Sequence, residues 1–396
     1  VITGIAWIGS SFYFIALHLS LRPRDGLPAR VHGDTWQGHG GGFYHMMKYT
    51  VAPPQMPEEL TWFKWESYWT WMSGAFLLGV LYYGSPELFL IDRQVADLEP
   101  WQAIGLGIGG ILAGYVVYEA LCRSPLGNND YALYAVLFGF IVAIGYGFTQ
   151  VFSGRGAFVH TGALIATIMT ANVAMLIIPN QRKTVAALLA GKTPDPKWGK
   201  QAKQRSTHNN YITLPVIFLM LSNHYPLAYA TKYSWLIIAL VLLTGFTIRH
   251  FFNSMHAGKG RPWWTWAATA ILFILIMWLS QAGPPERPEV AAAAPDARVE
   301  RLVANADFDA VRGVVTSRCS MCHAREPVWE GVPRAPKHVF LEDDSDIARH
   351  AEQIYAQAAR SNAMPPGNIT GLEPSDRDLL ARWYETATGQ KRHFWW

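Results

Sequence analysis

Cys319, Cys322 and His323 stand in the order C-x-x-C-H within Cys319-Ser-Met-Cys322-His323, a spacing that specifies chemistry by itself. Two thiols three residues apart can add to the vinyl groups of a haem, and the adjacent histidine is then placed under the iron. A redox thiol pair or half a zinc site would use the same two cysteines. Zinc needs a second pair, and the remaining cysteine, Cys122, ends an apolar stretch and reads as inert. With three cysteines in all there is no disulfide framework. A covalent haem c is therefore expected, with His323 as one iron ligand. Met364 is the only methionine after the motif and sits in Asn362-Ala363-Met364-Pro365-Pro366-Gly367, where prolines stiffen an irregular loop and leave the sulfur able to face iron. It is the expected second ligand, with His338 and His350 as the alternatives. Thioether ligation raises the potential of a haem, so the domain should accept electrons readily.

A second set of chemically capable residues is dispersed. His39-Gly-Gly-Gly-Phe43-Tyr44-His45-Met-Met-Lys48-Tyr49 precedes Trp62-Phe-Lys64-Trp65-Glu66-Ser-Tyr68-Trp69-Thr-Trp71, and Thr207-His208-Asn209-Asn210-Tyr211 leads to Ser222-Asn223-His224-Tyr225. A planar, polar, anionic heterocycle would want stacking rings, amide donors and a cation, and these segments hold all three. A tryptophan belt with polar loops at a membrane interface would look much the same. His45, Glu66, His208 and Asn210 are the candidate catalytic residues, expected near one pocket on the cytoplasmic side, with a histidine or Glu66 as general base and amides holding carbonyl groups.

The elements that must position these residues follow from composition. Apolar residues make up 51% of the 396-residue chain and charged residues 16%, and charge is plentiful only after about residue 284. Eight apolar runs of the length needed to cross the hydrocarbon core lie near 1–21, 62–84, 101–121, 131–152, 157–179, 208–226, 233–252 and 263–281. The fold class expected is all-α: a polytopic membrane bundle of about eight spans over residues 1–282, a Pro/Ala-rich linker over 283–302, and a small class I cytochrome c domain over 303–396. Helices are expected there near 307–322, 344–360 and 375–388, the last with Ser375 as its N-cap and Gly389 at its end. The first residue, Val1, already lies in an apolar run, which points to a missing true start.

Lys and Arg cluster after spans one, three, five and seven, including Arg182, Lys183, Lys192, Lys197, Lys200, Lys203 and Arg205, whereas the other loops carry Arg93, Arg155 and Lys232. Basic loops stay cytoplasmic, so both termini and the haem domain are expected in the periplasm of a bacterial inner membrane, where c-type haem is attached. A net charge of +4 spread over such runs gives no reason to expect a nucleic-acid partner. Quinol oxidation through membrane b haems would want histidine pairs about 13 or 14 residues apart on one face; His208 and His224 are 16 apart and point to faces about 160° apart. Gly105-Leu-Gly107-Ile-Gly109-Gly110 has the look of a dinucleotide loop but lies within a span, so close helix packing is expected.

Taken together, VITGIAWIGSSFYFIAL, HGGGFYHMMKY, WFKWESYWTW and THNNYITLPVIFLMLSNHYP, followed by CSMCH, resemble the bacterial membrane-bound urate oxidases (urate hydroxylases) along essentially the whole chain. The resemblance implies conversion of urate to 5-hydroxyisourate, electrons passed to the fused cytochrome instead of to hydrogen peroxide, and a soluble cytochrome c or terminal oxidase downstream. The first span also resembles those of small haem proteins that bind haem b near such a helix, so a second, non-covalent haem stays open. The alternatives are a respiratory subunit fed by quinol or a dehydrogenase, and a permease with a tethered electron carrier.

Overall fold

The computed structural model describes residues 2–49, 53–92, 95–282, 297–330, 332, 335–336 and 339–389. The chain divides into two compact units, Val1–Ala282 and Gly283–Trp396. Residues 283–296, most of the expected linker, and His338 lie outside the described residues.

The first unit is helical. α1 spans Ile2–Ser20, α2 Trp65–Leu78, α3 Pro100–Arg123, α4 Asp130–Thr149, α5 Gly154–Leu189, α6 Pro196–Leu221, α7 Ser234–His256 and α8 Trp264–Ser280. Among the described residues five of these, α1, α3, α4, α5 and α7, are long and apolar enough to cross a membrane. α8 is apolar but shorter, and α2 has 14 residues. α6 begins twelve residues before the apolar run expected at 208, and the reason is local. Asp195 caps it by accepting the Lys197 N–H at 2.8 Å and Pro196 takes the first position, where its missing N–H costs nothing. Its first half is therefore a polar helix, PKWGKQAKQRSTHNN, continuous with the apolar half.

α5 and α6 pack together at the centre, with α3 and α4 against α5 and α7 against α6. Of the glycines from Gly105 to Gly110 in α3, Gly107 and Gly110 serve this packing as expected, whereas a Cβ on Gly105 or Gly109 would meet nothing within 4 Å. A Cβ on Gly110 would meet the Phe148 ring at 2.7 Å and one on Gly114 would meet Leu164 at 2.7 Å. Two turns of π-helix interrupt the regular ladder, at Gly79–Tyr83 following α2 and at Asn172–Ile177 within α5.

The all-α expectation needs one correction. Val31–His39 (β1) and Gly42–Tyr49 (β2) form an antiparallel hairpin. Its two-residue turn is Gly40-Gly41, with φ of 60° and 81°, and positive φ at both central residues is the mirror-image turn that matches strand twist and favours glycine.

The second unit is a small helical assembly. α9 is Ala297–Val303, α10 Phe308–Arg318, α11 Asp344–Arg349 and α12 Pro374–Thr388. Residues 297–302, expected as linker, are thus helical, and Leu302 is fully buried with its carbonyl accepting from Trp383 Nε1 at 2.9 Å. α10 lies on α12 with the Phe308 and Trp383 rings 6.0 Å apart. The cap of α12 is Glu373 and not Ser375: Glu373 and Asp376 form a reciprocal capping box around Pro374. Gly389 closes the helix in the left-handed region with φ of 68°.

Candidate functional site

α6 carries two of the candidate residues, and the helix separates them. Residues two apart on a helix point about 200° apart, so His208 turns toward α3 and α4 while Asn210 turns toward α7. His208 Nδ1 lies 2.8 Å from the Tyr118 hydroxyl of α3, and the Tyr134 ring of α4 packs on its edge at 5.3 Å between centroids. Asn172, the first residue of the π turn in α5, donates from Nδ2 to the Tyr118 oxygen at 2.9 Å and to Asn209 Oδ1 at 2.9 Å. Asn209 in turn donates to the Met169 carbonyl at 2.9 Å. Arg205, one turn before His208, lays its guanidinium over the Tyr118 ring at 4.9 Å and gives Nη2 to Glu119 Oε2 at 2.9 Å. Wide helical turns recur at functional sites because they displace a side chain from the regular spacing, and here one delivers Asn172.

Asn210 belongs to a different network. Its Oδ1 accepts from Asn253 at 2.9 Å and from Arg249 Nε at 3.3 Å, and the Arg249 guanidinium stacks on Phe12 of α1 at 3.8 Å. His45 lies on the hairpin, stacked on Trp36 at 4.2 Å with its Nε2 2.7 Å from Asp34 Oδ2. Asp34 is 3% exposed, and Arg24 Nε lies 3.2 Å from its other oxygen without hydrogen-bond geometry. Glu66 occupies the first turn of α2, where a carboxylate offsets the unpaired N–H groups of the helix start. The four candidates thus fall in four settings and not in one pocket. Near the hairpin, Lys48 Nζ meets His18 Nδ1 at 2.7 Å, and burial, with the charge of Lys203 added, holds the Lys48 ammonium below the usual lysine range.

A second buried histidine, His160 on α5, meets the Tyr83 hydroxyl at 3.2 Å and gives Nδ1–H to the Gly156 carbonyl at 2.8 Å. A Cβ on Gly107 would stand 2.7 Å from its Nε2, so α3 packs directly on this ring.

In the second unit the motif thiols share one short helical stretch, Ser320–His323 and the Cys319 before it. Cys319 and Met364 both pack against the same hydrophobic core. His323 Nδ1 donates to the Val339 carbonyl at 2.9 Å, which puts the ring's lone pair on Nε2, the atom a metal would use. The Met364 loop is held at both backbone groups: its N–H donates to Gln357 O at 2.9 Å and its carbonyl accepts from Arg377 at 3.0 Å. Burial pushes the Cys319 thiol up to about 11, opposite to the depressed thiols of redox C-x-x-C pairs. Among the described residues no group of three or more His, Cys, Asp or Glu is arranged to hold a bare metal ion. These residues fit a covalently attached haem with a histidine ligand.

Tyr118, Arg205 and Asp34 were not singled out from the sequence as candidates. Tyr118 and Arg205 are each one polar residue within an ordinary helix whose partner lies far along the chain, 90 residues for Tyr118 and His208 and 86 for Arg205 and Glu119, while Asp34 is one residue of a strand whose partner His45 is 11 residues away. Nothing among curated proteins matches the chain, and nothing among solved structures does. Residues 1–280, which contain every one of the buried networks of the first unit, match the family model described as urate oxidase N-terminal. The chain therefore belongs to the urate oxidase N-terminal family.

Proposed function

We propose that this protein oxidises urate to 5-hydroxyisourate in its membrane unit and delivers the electrons to a haem c held by Cys319, Cys322, His323 and Met364. The observation that carries the reading is the match of residues 1–280 to the urate oxidase N-terminal family over a unit that also contains membrane-length helices. The Tyr118–Asn172–His208–Asn209 network is the place proposed for the substrate, since it offers amides, rings and an imidazole within one buried cluster.

The balance of the reaction is simple. Urate loses two electrons, water supplies the hydroxyl at C5, and two protons leave. Bound at the motif, the haem would supply a one-electron acceptor, so urate must be emptied in two steps. The work of the protein's own side chains is to hold the planar ring by its carbonyl and N–H edges and to keep bulk water from the reacting face. On this reading both termini lie in the periplasm, which the clustering of Lys and Arg in the opposite loops of the first unit supports. From there a soluble cytochrome c or an oxidase would take the electrons onward.

The test mixes oxidised, haem-loaded full-length protein with urate under argon and follows the reduced c-haem absorption bands. Rapid reduction by urate supports the proposal. Reduction by a quinol and none by urate replaces it with a respiratory electron-transfer subunit.

A further inference from the structure

The hydrogen bonds around His208 have a direction, and it is fixed from one end. The Met169 carbonyl can only accept, so the Asn209 atom facing it is Nδ2, at 2.9 Å, and Asn209 presents Oδ1 at its other side. That oxygen takes one N–H of Asn172 at 2.9 Å, and the second N–H of the same amide goes to the Tyr118 oxygen at 2.9 Å. Tyr118 then has its own proton left to give. His208 Nδ1 is the nearer acceptor at 2.8 Å, against 3.3 Å for Asn172 Oδ1. An imidazole that accepts at Nδ1 carries its proton at Nε2. The chain of three side chains thus turns His208 into a donor.

His208 is 3% exposed and its Nε2 is buried without a hydrogen-bond partner. Arg205 is 2% exposed and its Nη1 is likewise buried without a partner, while Nη2 is taken by Glu119. Residues three apart on a helix lie on the same face, so two donors lacking acceptors stand one turn apart on α6. A buried donor left unsatisfied destabilises a fold, and two together in one cluster call for an acceptor. The surrounding rings of Tyr118 and Tyr134 supply flat apolar walls, and Asp130 and Cys122 complete the charged and polar groups acting on this pair.

We infer that Arg205 Nη1 and His208 Nε2–H form a two-donor hole for an oxygen of the substrate, a carbonyl or anionic oxygen of a planar oxo-heterocycle, with Tyr118, Asn172 and Asn209 as positioning residues that set the His208 tautomer. The inference rests on the urate reading above and deepens it: His208 holds the substrate as a donor and is not the base that first removes its proton. It also assigns Arg205 a role distinct from neutralising Glu119.

Equilibrium dialysis of urate against the dithionite-reduced full-length protein under argon measures binding without turnover, because no oxidised acceptor is present. Loss of a hydrogen bond to a charged or polarised group predicts that Arg205→Gln raises the urate Kd by about 10- to 100-fold, and Arg205→Lys recovers part of it. Tyr118→Phe, close to isosteric, should raise Kd by about 5- to 10-fold through loss of the tautomer lock, with an unchanged melting temperature and haem spectrum. In turnover the same variants should shift KM before kcat. If the wild type binds and oxidises urate while Arg205→Gln and Tyr118→Phe, folded by those measures, both bind it equally well, the two donors serve only a buried water and the inference is overturned. If the wild type neither binds nor oxidises urate, the urate reading fails first and the hole falls with it.

Discussion

His323 and His208 are the same side chain used with opposite polarity, one in each unit of the chain. His323 gives Nδ1–H to the Val339 carbonyl and so has a lone pair on Nε2, whereas His208 receives the Tyr118 proton at Nδ1 and so has a proton on Nε2. The first is prepared to ligate and the second to donate. What decides is the partner behind the ring, an acceptor in one case and a donor in the other. The two units differ in the same way in how they store chemistry: the C-terminal unit writes it in five consecutive residues and the membrane unit spreads it over α3, α5 and α6.

The largest effect should come from removing the contiguous motif. The double variant Cys319→Ala, Cys322→Ala is expected to lose covalent haem completely on a denaturing gel and to reduce urate-driven electron release to background, with the membrane unit still folded. Covalent haem surviving the double change would end the haem c assignment. Met364→Ala tests the same unit less severely. The thioether favours the reduced iron, so the haem should be retained with a lower reduction potential, seen by redox titration. An unchanged potential would transfer the ligand role to another side chain, His350 among the described alternatives.

How much of this was legible in the sequence follows from the contrast. Cys319, Cys322 and His323 could be read because their partners are each other. The helix positions of the first unit could be read as apolar runs, but α6 was seen only from its apolar half, since Asp195 and Pro196 start it among charged residues. The hairpin was readable in principle from Gly40-Gly41 between flanks rich in aromatic residues, which favour strands. Of the four catalytic candidates, His208 lies in the network proposed for the substrate, while His45 and Glu66 lie on a hairpin and at a helix start. Tyr118 had no sequence signal, because it is a lone polar residue whose partners come from other helices.

Dispersed positions can be sharpened by packing. Gly107→Ala would place a Cβ 2.7 Å from His160 Nε2 and 3.3 Å from the Tyr83 hydroxyl, so the ring must shift. Overpacking of this kind costs about 1–3 kcal/mol, to be read as a lower melting temperature in detergent. Gly109→Ala, two residues on, meets nothing within 4 Å and should be neutral or stabilising by about 0.5 kcal/mol through helix propensity. Equal destabilisation by both would mean that α3 is sensitive along its whole length and that His160 holds no special place.

The smallest effect is expected at the hairpin. Asp34 is buried, yet its two partners reach water, with the Arg24 and His45 side chains 55% and 31% exposed. An ion pair with one exposed member is screened, so the charge itself is worth little. Asparagine keeps the shape of the side chain and can still accept from His45 Nε2, and the backbone bridge between Arg22 and Asp34 is untouched. Asp34→Asn should therefore cost about 1 kcal/mol, visible as faster amide exchange in β1 and β2 with little change in α5 or α6. A loss several times larger, spreading to α6, would show that the hairpin is coupled to the buried network around His208. The two regions of the first unit would then have to be treated as one site.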